Sequence, residues 1–155
     1  MFTLQSEAQL LQAFRPRDRK VVELIPAVAP PRFVRHYLAW AHPAGGRVYL
    51  VFAVPGGAPT GIAFATNGQG APVPHLCDWC HCVGPGTQVG LLTARLNSRK
   101  TVGVYLCADL GCQARLEDEA DRAGRSVLPA MAALVARMGR FASEGLGIDL
   151  SGAGR

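Results

Sequence analysis

Two pairs of cysteines carry the clearest chemistry in this chain. Cys77 and Cys80 enclose two residues, Cys107 and Cys112 enclose four, and 26 residues separate the pairs. Thiolates at these spacings suit a tetrahedral Zn²⁺, because each pair closes a short backbone loop over one edge of the ion and the intervening chain returns to complete the set. A site with Cys77, Cys80, Cys107 and Cys112 as ligands has no open coordination position, and zinc that cannot bind water cannot activate it. The pattern points to a binding protein rather than a metalloenzyme.

Other chemistries have weaker claims. Cys82 lies too close to Cys80 for a comfortable chelate and reads as a non-ligand, with His81 as a surface group or a partner to a ligand. A Cys77–Cys82 pair, with its gap of four, is the alternative. Cys77-x-x-Cys80 would also suit a redox dithiol, which the second pair argues against. His36, His42, His75 and His81 offer bases for nucleophilic catalysis, but none stands in a pattern that specifies a triad. No phosphate-binding Gly-x-x-x-x-Gly-Lys loop or dinucleotide fingerprint is present.

The elements that must position these thiols follow from local signals. Ser6 to Gln9 reads as a capping box opening a helix from Glu7 to Phe14, which ends in the basic run Arg15 to Lys20, a solvated loop or a phosphate or acidic-protein contact. A proline-rich connector from Ile25 to Arg32 leads to Phe33, Tyr37 and Trp40, whose spacing predicts an amphipathic helix. Arg47–Val54 and Gly61–Thr66 predict a hairpin, followed by a Gly/Pro loop from Asn67 to Pro74. Val89–Arg95 and Thr101–Leu106 predict a second hairpin that delivers Cys107, and Asp109 is placed to cap a helix with Cys112 in its first turn. The order of knuckle, hairpin and helix is the treble-clef plan. Ser126 opens a last helix whose stripe of Val127, Met131, Leu134, Val135, Met138 and Phe141 ends near Gly145.

The hairpin tip is the best recognition candidate. Arg95, Asn97, Arg99 and Lys100 put basic donors near Tyr105 and Trp79, which suits stacked RNA bases or an apolar protein patch rimmed by carboxylates. A solvated turn beside core aromatics would use the same residues.

The chain of 155 residues is long enough for one domain with a real core, so zinc would staple a local subdomain. No apolar run approaches a bilayer span, and the start lacks the features of a secretory leader, so a reducing cytoplasm is expected for the thiols. The formal charge of +5 falls to about +3 once four thiolates and one Zn²⁺ are counted. This mild basicity favours acidic partners, protein or RNA.

A family resemblance rests on Cys77-Asp78-Trp79-Cys80, Gly90-Leu91-Leu92-Thr93-Ala94-Arg95, Ser98, and Val102 through Cys112 with Ala108-Asp109 between the last two cysteines. These residues, with Tyr37 to Pro43 and Tyr49-Leu50-Val51 upstream, resemble the C-terminal treble-clef zinc finger of elongation factor G-binding proteins, which include the fusidic-acid-resistance proteins of FusB type. The similarity runs from about Pro30 to Phe141. It implies zinc on the four paired cysteines, a cytoplasmic protein, and elongation factor G bound near the finger, with release of the factor from the ribosome as the associated activity. The resistance proteins carry a sizeable N-terminal helical domain, whereas one short helix and a connector fit before Pro30 here. Factor binding is therefore the expectation carried over, and antibiotic protection is left open.

The reading is a non-enzymatic α+β zinc protein: a four-cysteine treble clef with small antiparallel hairpins or sheet and a C-terminal helix. Residues 1–29 form a helix and connector, 30–146 the factor-binding-type domain with its finger at 77–122, and 147–155 a flexible tail. Zn²⁺ is the cofactor, and elongation factor G the partner through Trp79, Arg95, Arg99, Lys100 and Tyr105, without membrane or small-molecule substrate. The alternative is a zinc finger acting on ribosomal or other structured RNA.

Overall fold

The computed structural model describes residues 1–66, 73–85 and 88–152. Most of the expected 67–74 loop therefore lies outside the described residues. A five-stranded antiparallel sheet organises the chain. It is built from β3 (Tyr37–Ala41), β4 (Arg47–Phe52), β5 (Thr60–Thr66), β8 (Val89–Arg95) and β9 (Thr101–Cys107), in that spatial order. Both expected hairpins form, with Val48 opposite Phe64 in the first and Thr93 opposite Gly103 in the second. Two smaller ribbons flank the sheet: β1 (Phe2–Leu4) with β2 (Arg32–Val34), and β6 (His75–Leu76) with β7 (Val83–Gly84). The helices are α1 (Glu7–Gln12), the single turn α2 (Pro16–Arg19), α3 (Cys112–Ala123) and α4 (Leu128–Arg140).

Each face of the sheet buries its own core. Val48, Leu50, Phe52, Ile62 and Phe64 face the cysteines and Met131, Leu134 and Met138 of α4. Trp40, Tyr49 and Val51 face Leu4, Leu10, Phe14, Val28 and Val34 of the N-terminal segment. That segment is pinned at its polar tips, since Trp40 Nε1 donates to the Glu23 carbonyl at 2.8 Å and the Tyr49 hydroxyl to the Val21 carbonyl at 2.6 Å. Residues expected to serve as a connector thus cover part of one face of the sheet.

Three local expectations are corrected. Phe33 to Trp40 forms strands, not a helix: Leu38 and Trp40 pack to one face and Tyr37 and Ala39 to the other, the two-residue alternation of a strand paired to β4. Spacings of four and three between aromatics fit a helix, but the open edge of β4 offers these residues a ladder and two cores to fill. Asp109 does not cap α3. The cap position is Gly111, and the Asp109 carboxylate accepts from the Gly111 N–H at 2.8 Å. The described part of the expected tail, 147–152, is packed onto the fold rather than free. Gly147, at φ 66°, turns it back so that Ile148 is buried, and the Leu150 carbonyl accepts from the Ala58 N–H at 2.9 Å.

Candidate metal centre

The first thiol pair sits in a tight loop closed by the β6–β7 ribbon. The Cys77 N–H donates to the Cys82 carbonyl at 2.8 Å and the His81 N–H to the Cys77 carbonyl at 2.9 Å, while the Cys80 N–H points at the Cys77 sulfur at 3.5 Å. Closing so short a turn puts His81 at φ 62°, the left-handed region that a side chain enters at a cost. The second pair repeats the device. Cys107 ends β9, its carbonyl accepts from the Leu110 N–H at 2.9 Å, Leu110 turns at φ 55°, and Cys112 opens α3.

The two turns bring four sulfurs together. Cys77 and Cys112 Sγ lie 3.7 Å apart, Cys80 and Cys107 Sγ 3.5 Å apart, and all four lie within 4.8 Å of one another. A tetrahedron of sulfurs about 2.3 Å from a central zinc has edges of about 3.8 Å, so the donor set fits Zn²⁺. All four cysteines are buried. Hydrogen bonds from the Cys107 and Cys112 thiols hold Cys77 below the ordinary thiol range, whereas the hydrogen bonds that Cys112 makes with Cys107 and Cys77 push it up. Without a cation the cluster shares protons because it cannot hold four negative charges; a divalent ion replaces those protons. Cys82 stands outside the cluster, half-exposed, with its sulfur toward the Val83 carbonyl, and no histidine joins it among the described residues.

Neighbouring elements lock the turns. The Arg137 guanidinium of α4 donates to the Trp79 carbonyl at 2.7 Å, and the Asp78 N–H to the Tyr105 carbonyl at 2.9 Å. Tyr37, from the far edge of the sheet, donates its hydroxyl to the Leu110 carbonyl at 2.5 Å and accepts from the Gln113 N–H at 2.9 Å. One phenol thereby caps the first turn of α3 in place of Asp109. Burial of the hydroxyl pushes the Tyr37 pKa well above its ordinary value, which keeps it a donor. Its aromatic type was visible in the sequence, but nothing local pairs residue 37 with residue 113.

The expected recognition residues divide. Arg95, Arg99 and Lys100 are exposed at the β8–β9 tip, where Asn97 Oδ1 accepts from the Arg99 and Lys100 N–H groups at 2.8 and 2.9 Å and stiffens the turn. Tyr105 is partly exposed and stacks on His75 at 4.2 Å. Trp79 is not a surface residue: its ring is buried, edge-on to Phe64 and Phe141 at 6.0 Å each, so it offers a partner no face. Leu76, Val83 and Leu91 are exposed apolar residues that sequence reasoning missed. Strand alternation could have found Leu91, which pairs with Tyr105 on the face opposite Leu92 and Val104.

Comparisons with known proteins agree with this geometry. No curated protein sequence matches the chain. Among solved structures, the fusidic acid resistance protein FusC matches with a TM-score of 0.50 at 21% sequence identity, over 73% of this chain and 50% of that one. The chain thus spans about half the length of that relative, and at this identity the likeness is one of fold. The family described as the FBP C-terminal treble-clef zinc-finger matches residues 9–144, which takes in all four clustered cysteines and most of both cores. The chain belongs to the FBP C-terminal treble-clef zinc-finger family, and its cofactor is Zn²⁺.

Proposed function

We propose that this protein binds elongation factor G through its zinc-bearing half and promotes release of the factor from the ribosome, acting in the cytoplasm without catalysis. Cys77, Cys80, Cys107 and Cys112 are the zinc ligands in this reading. Four protein thiolates fill a tetrahedral ion, so the metal supplies rigidity rather than an activated water. Among the described residues, no helix is long and apolar enough to cross a membrane.

One observation carries the reading. The outward face of the β8–β9 hairpin presents Leu91 beside Tyr105, with Leu76 and Val83 of the adjoining ribbon also exposed, and Arg95, Arg99 and Lys100 at the tip. An apolar centre with cationic side chains at one end is the anatomy of a protein interface for an acidic-rimmed partner. The fold shared with a fusidic acid resistance protein supports elongation factor G as that partner. Zinc fixes hairpin and helix against each other, and tighter binding to one conformer of the factor shifts its population off the ribosome.

Titration calorimetry of the zinc-loaded protein against purified, RNA-free elongation factor G at near-physiological salt tests this. One-to-one binding at micromolar affinity or tighter is expected, weakened and less salt-dependent in Arg99→Ala/Lys100→Ala. No heat, with no capture in a pull-down, would overturn the assignment and leave the zinc fold standing.

A further inference from the structure

The basic run Arg15 to Lys20 separates into two kinds of cation once the chain folds. Arg15 is structural: its guanidinium bonds the buried Asp18 carboxylate at 2.9 Å and the Arg95 carbonyl, clipping α2 to the end of β8. Arg19 is structural too, donating to the carbonyls of Leu11 and Phe14 at 3.1 and 3.0 Å. Arg17 and Lys20 point outward, and among the described residues their side chains make no ion pair or hydrogen bond.

The clip creates a groove. The N-terminal segment covers β3, β4 and the start of β5 on its sheet face but meets β8 only at the Arg15 clip, leaving a trough of about 630 Å³ with α2 as one wall and the β8–β9 hairpin as the other. Arg17 and Lys20 stand on the α2 wall, with Arg47 and Arg95 on the strands. Register places Arg47 opposite Ala65 and Ala65 opposite Thr93, so Arg47 lies two strand spacings, about 10 Å, from the strand that bears Arg95. Among the described residues, the only carboxylate in the lining is that of Asp18, already neutralised by Arg15.

The lining also says what kind of polyanion fits. A protein hot spot would need an aromatic or large apolar anchor, and the floor here is Ala63, Ala65 and Thr93. Reading single-stranded bases would need rings to stack on, and among the described residues the lining has none. Small residues that admit close approach, four cations without acidic partners and the hydroxyls of Thr93, Ser98 and Thr101 suit a ribose-phosphate backbone, with the hydroxyls available to the 2′-OH. We infer that this trough is a second binding site, adjoining the apolar hairpin face and sharing Arg95 with it, that holds the backbone of duplex RNA without reading its sequence.

The test is fluorescence anisotropy of the zinc-loaded full chain with a labelled 16-base-pair RNA duplex, and the same sequence as DNA, between 50 and 200 mM salt. Four phosphate contacts predict a log–log salt slope of about −3.6, a loss of affinity on the order of 100-fold over that range. The variant Arg17→Ala/Lys20→Ala/Arg47→Ala, with zinc content and far-ultraviolet dichroism unchanged, should flatten the slope by about three and leave elongation factor G binding as in the parent. RNA affinity unchanged in the triple variant, or no RNA binding at 50 mM salt, would overturn the proposal. Equal affinity for DNA would overturn its assignment to RNA. Binding of polyglutamate in place of RNA, lost in the same variant, would overturn it in favour of an acidic protein.

Discussion

The two faces of the central sheet bury their cores by different means. On one, four thiols and the stripe of α4 converge on Leu50, Ile62 and Phe64, and the turns that carry the thiols hold two non-glycine residues in left-handed conformations. On the other, Phe14 stands edge-on to Trp40 at 6.1 Å and to Tyr49 at 6.3 Å, with Trp40 and Tyr49 rings 5.2 Å apart. The first face depends on an ion to offset turn strain and crowded sulfur. The second depends on burial, ring geometry and the hydrogen bonds that pin the Trp40 and Tyr49 tips, with no ion. Metal chemistry and core packing are therefore separable within one sheet.

Stripping the zinc should separate them most sharply. Structural zinc contributes on the order of 10 kcal/mol to the elements it holds. Chelation, or Cys112→Ser, is expected to abolish hydrogen-exchange protection in the β6–β7 ribbon and the first turn of α3 while α1 and the β1–β2 ribbon stay protected. Equal loss on both faces would break the comparison.

The converse change is Phe14→Ala, which should cost about 3–5 kcal/mol in urea denaturation yet leave one zinc per chain. The Phe14 ring already fills the space above Gly61, where an added Cβ would meet it at 2.7 Å, so little can move in to close the cavity.

Tyr37→Phe is smaller and sharpens the boundary, because Tyr37 ties the edge strand to the finger. Leaving the Leu110 carbonyl and Gln113 N–H without that hydroxyl should cost about 1–3 kcal/mol. Because the folded-state pKa of Tyr37 is raised, its contribution is complete below the ordinary phenol value of about 10 and is lost as pH rises above it. The alkaline decline in thermal midpoint should be shallower in the phenylalanine variant.

The smallest effect runs the other way. His81→Gly relieves a left-handed backbone and should raise stability of the zinc-loaded form by about 1 kcal/mol, read from the thermal midpoint. A loss would mean that the imidazole makes a contact worth more than the strain.

The same division explains what could be read from the residues alone. The thiol spacing, the two hairpins and the α4 stripe are local patterns with short periods, and each appears where its pattern puts it. Tyr37 and Trp40 misled because a 3-and-4 spacing is shared by a helix face and by aromatics that alternate across a strand to feed two cores. Trp79 beside two ligands looked accessible, but Phe64 and Phe141, distant in sequence, enclose it. Asp109 failed as a cap because a phenol more than 70 residues earlier took that place. Long-range partners decided each of these, and no window of a single sequence contains them.

The burial of the sulfurs sets a clock as well as a structure. Cys77, Cys107 and Cys112 are fully enclosed and Cys80 is 7% exposed, so a chelator has almost no thiolate to attack while the β6–β7 ribbon is closed. Metal exchange is then expected to wait for local opening of the turns that carry the thiols, the short β6–β7 ribbon among them. Above modest chelator concentrations the exchange rate should stop rising, and the residence time of the ion becomes a property of a few backbone hydrogen bonds rather than of thiolate affinity.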